Sequence, residues 1–319
     1  MISRTKSAFG PHVVVVANHK GGCGKTTVAV HLIVALLKEG RRVASFDLDL
    51  EQQTLTRYLE NRWELSRLHD VPLEFPAHFG VGELTGADGT GDARRRFTAA
   101  LADLEQSSDF VVVDTPCGSS ELALLAHGAA DTLVTPINDS FVDLDVIGTI
   151  GPSNDMGPRR SRYMETVAKA IELRSYVGRE PTDWVVVRNR TPILYSRNES
   201  QVTKLLDVMA PEIGFRVARG LHERTIYREL FPFGLTAFDP LDEQLVKSRV
   251  SRSHQPARKE VRELIASLGL LPARTDSTTD ADRFQQALRD MQTLRDIKLP
   301  RAVGLDEVSG GRRRAHART

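Results

Sequence analysis

Two lysines, a pair of threonines and three aspartates, set at the ends of apolar runs, carry the chemistry legible in this chain. The densest set is Lys20-Gly21-Gly22-Cys23-Gly24-Lys25-Thr26-Thr27. It follows four consecutive valines, Val13 to Val16, and opens an apolar stretch from Val28 to Leu37. Such a valine run predicts a parallel strand covered on both faces, because strands of that kind lose the polar alternation. Strand, glycine-rich turn and helix in that order build a loop that cradles phosphate. Backbone N–H groups converge on the anion, and the helix N-terminus adds partial positive charge. Lys25 supplies a point charge for the β- and γ-phosphates, and Thr26 a hydroxyl for Mg²⁺. The expected nucleotide contacts are therefore Gly21, Gly22, Cys23, Gly24, Lys25, Thr26 and Thr27. Position 19, a glycine in the commonest form of this loop, is His19. Lys20 is a second cation that the loop does not need for itself. It has a task only if it reaches the nucleotide of another subunit.

Three carboxylates end the neighbouring apolar runs. Asp114 closes Phe110-Val111-Val112-Val113 and precedes Thr115-Pro116-Cys117-Gly118, a carboxylate followed by a loop that a γ-phosphate can order. Asp47 and Asp49 sit two apart after Val43-Ala44-Ser45-Phe46, so both can approach the phosphates. The expected Mg²⁺ ligands are Thr26, Asp47 and Asp114. Asn189 ends a further run, Trp184 to Val187, and an amide there can read adenine through its paired donor and acceptor.

Elements that position these residues follow from periodicity. Strands are predicted at 13–16, 42–50, 110–114, 131–136 and 184–187. Helices are predicted from Val28, over 51–68 and over 92–106, and a loop over 70–91, which is dense in Pro and Gly. Alternating strands and helices predict an α/β, doubly wound, mainly parallel sheet with ligands at the carboxyl ends of the strands. The expected organisation is a short arm (1–11), one compact domain (12–271) and a tail (272–319) with a basic end. Of 319 residues, 40% are apolar and 27% charged, enough for one full core, and the net charge of +1 means any nucleic-acid affinity must be local. Two cysteines, Cys23 and Cys117, suggest a reducing cytosol and are too few for an iron–sulfur cluster within one chain. The first twelve residues lack the apolar core of a signal peptide, and no stretch approaches 18 apolar residues. A soluble, cytoplasmic protein is expected.

The loop with its extra lysine resembles the deviant Walker A motif of the ParA/MinD ATPases. Further stretches narrow the likeness. Phe46-Asp47-Leu48-Asp49-Leu50-Glu51-Gln52, Ala126-His127-Gly128, Asn138-Asp139-Ser140-Phe141-Val142-Asp143 and Arg224 to Leu235 resemble the MipZ branch, which positions the division plane. The likeness covers roughly residues 12 to 270. One departure is Cys117, where the resemblance leads one to expect glycine.

The resemblance implies a slow ATPase with ATP and Mg²⁺ as cofactors. It implies a homodimer sandwiching ATP, with Lys20 crossing to the partner's nucleotide and Asp49 positioning the attacking water. Lys20, Lys25 and Asp49 are thus the expected catalytic set. It also implies nonspecific binding of double-stranded DNA, recruitment by a ParB-like centromere-binding protein, inhibition of FtsZ polymerisation, and a nucleoid or polar location. The basic residues of the C-terminal half, Arg197, Arg216, Arg219, Arg224 and Arg228, are the expected DNA contacts. Other branches of the family imply different outputs: ParA-type segregation, or MinD-type membrane cycling. The tail has an amphipathic pattern (Phe284, Leu288, Met291, Leu294). Its polar face mixes Asp282, Asp290 and Asp296 with Arg283, Arg289 and Arg295, which argues against an anchor on anionic lipid.

Overall fold

The computed structural model describes residues 10–85, 92–148, 161–192, 197–239 and 251–271. The tail and most of the N-terminal arm lie outside these residues. Seven strands form one sheet: β1 (His12–Val16), β2 (Val43–Asp47), β3 (Ala77–Phe79), β4 (Phe110–Asp114), β5 (Thr132–Asn138), β6 (Asp183–Asn189) and β7 (Arg216–Arg219). Their order is β3-β2-β4-β1-β5-β6-β7, and every pairing is parallel. The helices are α1 (Lys25–Lys38), α2 (Thr54–His69), α3 (Val81–Thr85), α4 (Ala93–Asp103), α5 (Glu121–Ala129), α6 (Phe141–Leu144), α7 (Arg162–Tyr176), α8 (Arg197–Ile213), α9 (Ile226–Glu229) and α10 (Ser251–Leu268).

The valine runs explain the two cores. Successive residues of a strand point to opposite faces, so an unbroken apolar run must be covered twice. Val14, Val16, Val112 and Val185 face a core built with α1 and α10. Val13, Val15, Val111, Val113 and Val186 face the other, with Phe97, Leu122 and Tyr163. The chain runs outward from β1 in one direction as far as β3 and in the other as far as β7. The loops after β1, β2 and β4 therefore gather at the carboxyl ends of the strands, the place where such folds hold ligands.

Two boundaries differ from expectation. The predicted loop 70–91 contains β3 and α3, and β7 is absent from the expected strands. Both strands are short and lie at the sheet's edges, where burial no longer demands a continuous apolar run. Asp92, expected as the first helical residue, instead caps α4, its side chain accepting from the backbone N–H of Arg94 and Arg95.

The stretch Phe231-Pro232-Phe233-Gly234-Leu235 has a structural task. Arg62 on α2 is fully buried, and Asp239 takes its guanidinium at 2.7 and 2.8 Å while the Gly234 carbonyl accepts at 3.0 Å. Burial pushes the Asp239 carboxyl up, but Arg62 more than offsets this and holds it below the usual range. Gly234 has φ 62°, and a Cβ there would lie 2.0 Å from the Arg62 backbone nitrogen. No helix among the described residues is long and apolar enough to cross a membrane.

Candidate functional site

The loop after β1 turns on two left-handed glycines, Gly22 (φ 72°) and Gly24 (φ 90°). Gly24 is fixed twice over, because a Cβ on it would lie 2.2 Å from the Asn189 side-chain nitrogen. It stands at the head of α1, whose first residue, Lys25, is buried to 7% exposure. The Lys25 ammonium donates to the Lys20 carbonyl at 3.1 Å and to Cys117 Sγ at 3.4 Å, so it bends back over the loop. Cys23 is buried inside the turn, its thiol donating to the Lys20 carbonyl at 3.4 Å. Gly21 and Gly22 are exposed, and Gly24, Thr26 and Thr27 half-buried.

Lys20 goes elsewhere. Its backbone N–H is held by Asn18 Oδ1 at 2.9 Å, while its ammonium pairs with Asp143, a buried carboxylate on α6. The two lysines of the loop thus serve different partners.

Strand register brings the carboxylates together. Asp47 and Asp114 are direct neighbours on β2 and β4, and Val16 faces Asp114 across β1. Thr26 Oγ1 donates to Asp114 Oδ2 at 2.6 Å, and Asp114 Oδ1 is buried without a hydrogen-bond partner. Burial pushes the Asp114 carboxyl up to about 7; the hydrogen bond from Thr26 opposes this and the adjacent Asp47 adds to it. No group of three or more His, Cys, Asp or Glu side chains able to hold a metal alone occurs among the described residues. Thr26 and Asp114 nonetheless fit Mg²⁺. That ion takes few protein ligands, completes its shell with water and phosphate, and would neutralise the orphaned oxygen.

Asp47 differs from its expected place as a ligand. Its Oδ1 accepts from the Asp49 N–H at 3.1 Å, and its Oδ2 from both the N–H and hydroxyl of Thr56, at 2.9 and 3.0 Å. Oδ1 thus holds the turn after β2, and Oδ2 the first turn of α2. Behind them a half-buried chain runs from Thr56 to His78 (3.0 Å) and on to Ser45 (2.9 Å). Thr56 and His78 carry no local signal in the sequence. Asp49 is half-buried at the mouth, with Oδ1 accepting from the Gln52 N–H at 2.9 Å.

Three further expected site residues have partners within the chain. Asn189 is 2% exposed, and its amide is a strut: Nδ2 donates to the Cys23 carbonyl at 2.8 Å and Oδ1 accepts from the Leu221 N–H at 3.1 Å. One N–H and one lone pair of the amide thus tie the phosphate loop to the backbone after β7. Arg216 is bound by Asp183 at 2.8 and 2.9 Å and by the carbonyls of Ser267 and Leu268 at the end of α10. Arg224 is locked on Glu260, its Nε 2.8 Å from Oε1. Both guanidiniums carry an ion pair within the chain. Arg219 and Arg228 are exposed, and the Arg197 side chain lies outside the described residues.

This geometry, a phosphate loop whose Thr26 meets the buried Asp114 and whose extra lysine pairs with Asp143, can be set beside known proteins. The sequence profile of the family described as ATPase MipZ matches residues 12–272. The chain belongs to the MipZ family of ATPases. The MipZ match spans the whole sheet and the site. Among curated proteins, the chain is 26% identical over 167 residues to the chromosome partitioning protein ParA of Myxococcus xanthus, covering 45% of this chain and 58% of that one. It therefore spans less than two thirds of that relative's length. Among solved structures, the fold is that of an McdA–ATP complex from Cyanothece, with a TM-score of 0.57 at 16% identity, covering 85% of this chain and all of the other. It is also that of the septum site-determining protein MinD complexed with Mg-ADP from Pyrococcus horikoshii, with a TM-score of 0.51 at 18% identity, covering 82% of this chain and all of that one.

Proposed function

We propose that this MipZ-family chain is an ATP-gated dimerisation switch with slow hydrolysis. The observation that carries the reading is the divergence of the two loop lysines. Lys25 stays over its own loop, whereas the Lys20 ammonium is held away from it by the buried Asp143. A cation held off its own phosphate site is suited to reach a second subunit's nucleotide, provided it exchanges Asp143 for phosphate. Bound Mg²⁺ supplies neutralisation of the phosphate oxygens, through Thr26 and Asp114. Gly21, Gly22, Cys23, Gly24, Thr26 and Thr27 cradle phosphate, Lys25 offsets its charge, and Asp49 orients the attacking water.

The output we assign is nonspecific DNA binding by the dimer, recruitment by a ParB-like protein and inhibition of FtsZ assembly, in a nucleoid-associated, cytoplasmic protein. The MipZ family match over residues 12–272 supports this output ahead of ParA-type segregation. Arg219 and Arg228, with Arg197, are the arginines left to meet DNA.

The test is ATP hydrolysis per subunit against protein concentration. The rate should climb with concentration as dimers form, and the climb should vanish in Lys20→Ala. A rate independent of concentration contradicts the switch. FtsZ polymerisation followed by light scattering tests the output: added protein with ATP should lower the signal, and an unchanged signal favours segregation.

A further inference from the structure

Cys117 stands in the loop after β4, where the family resemblance leads one to expect glycine. The residue is exposed, yet its sulfur is directed inward. Sγ lies 3.4 Å from the Lys25 ammonium and 3.4 Å from where a Cβ on Gly21 would sit. The thiol therefore fills the notch between the loop's exposed glycine and the cation expected to serve the β- and γ-phosphates. A second tie lies beside it: the Gly118 N–H donates to the His19 carbonyl at 2.9 Å. Gly118 is itself in a left-handed conformation, φ 78°, which orients that N–H toward the phosphate loop. Both ties use groups that phosphate oxygens also seek, a lysine ammonium and a glycine N–H.

We propose that Cys117 is a gate on the phosphate site. Its thiol must leave the Lys25 ammonium before a terminal phosphate can take that cation. It thereby lowers nucleotide affinity and couples phosphate arrival to movement of residues 114–118. The inference rests on the nucleotide-site reading above, but it concerns a residue that no phosphate-binding motif requires. The energetic argument is a subtraction. A bound state that must first break existing contacts shows the intrinsic affinity less the free energy of breaking them. Sulfur is a weak acceptor, and a net hydrogen bond to a charged group is modest, so the gate reduces affinity by about three- to tenfold.

The experiment is equilibrium binding of a slowly hydrolysed ATP analogue, with Mg²⁺, to the full chain and its Cys117 variants. Cys117→Ala removes the acceptor and should bind about three- to tenfold more tightly than wild type. Cys117→Ser keeps an acceptor at the same place and should bind no more tightly than wild type. Nucleotide-free Cys117→Ala should unfold slightly more easily than wild type, by the free energy of the same lost contact, and Cys117→Ser should match wild type. Affinity of Cys117→Ala equal to or weaker than wild type overturns the gate. A wild-type chain that binds no analogue at all overturns the nucleotide-site reading instead.

Discussion

The hydroxyl of Thr26 donates to Asp114 Oδ2 at 2.6 Å, while the other carboxylate oxygen is buried with no hydrogen-bond partner. A phosphate loop and a strand 88 residues further along are thereby joined through one proton donor. The arrangement leaves a carboxylate stable when protonated or when facing a cation, and strained when charged alone.

That strain has a pH signature. The folded state holds the Asp114 proton until about pH 7, against an ordinary value of 3.8. Between those values the folded chain binds more protons than the unfolded one. This group's contribution to stability is therefore full below about pH 4 and lost as the pH rises through about 7. The three-unit shift corresponds to at most about 4 kcal/mol. Asp114→Asn should raise the unfolding temperature of the nucleotide-free protein by several degrees more at pH 8 than at pH 5. The same difference at both pH values contradicts the account. Mg²⁺-nucleotide affinity should rise with pH up to about 7 in wild type, because the ion needs the charged carboxylate.

Asp49 yields a kinetic prediction. Its Oδ1 is taken by the Gln52 N–H, so truncation costs one local turn contact and the proposed orienting acceptor together. Asp49→Ala should bind ATP normally and hydrolyse it about 10²–10⁴-fold more slowly. Single-turnover phosphate release measures this directly. A rate near wild type makes Asp49 a turn residue only.

The arginines separate by partner. Arg219→Ala and Arg228→Ala should leave thermal stability intact and lower the dimer's log–log salt slope for duplex DNA by about 1.8, one phosphate per subunit. Arg224→Ala should instead destabilise the fold by about 2 kcal/mol, since it leaves Glu260 largely buried without its guanidinium. Urea unfolding and salt-dependent DNA titration distinguish the classes. A slope loss in Arg224→Ala without destabilisation reverses the assignment.

The same contrast explains what the sequence can disclose. The phosphate loop, the valine strands and Asp114 are legible because strand, turn and helix signals are local and contiguous. The structural partners of Asn189, Arg216 and Arg224 are not legible, because Cys23, Asp183 and Glu260 lie 166, 33 and 36 residues away. Nothing in the spacing announces such pairs. Asp47 reads as a metal ligand from its position at a strand end, yet the Thr56 donors that occupy it come from the next helix. The buried Arg62–Asp239 pair is hidden too: an arginine on a helix with charged neighbours reads as solvated, and the return of residues 231–239 over α2, with Glu74 and Phe75, desolvates it.

The most direct test of the switch is mass in solution by light scattering, with a slowly hydrolysed ATP analogue or with ADP. The account predicts the mass of one 35.4-kDa chain with ADP and twice that with the ATP analogue. Lys20→Ala should bind the analogue yet stay at one chain, whereas Lys25→Ala should lose binding. A dimer that forms equally with ADP, or persists in Lys20→Ala, would contradict an ATP-gated switch closed by the crossing lysine.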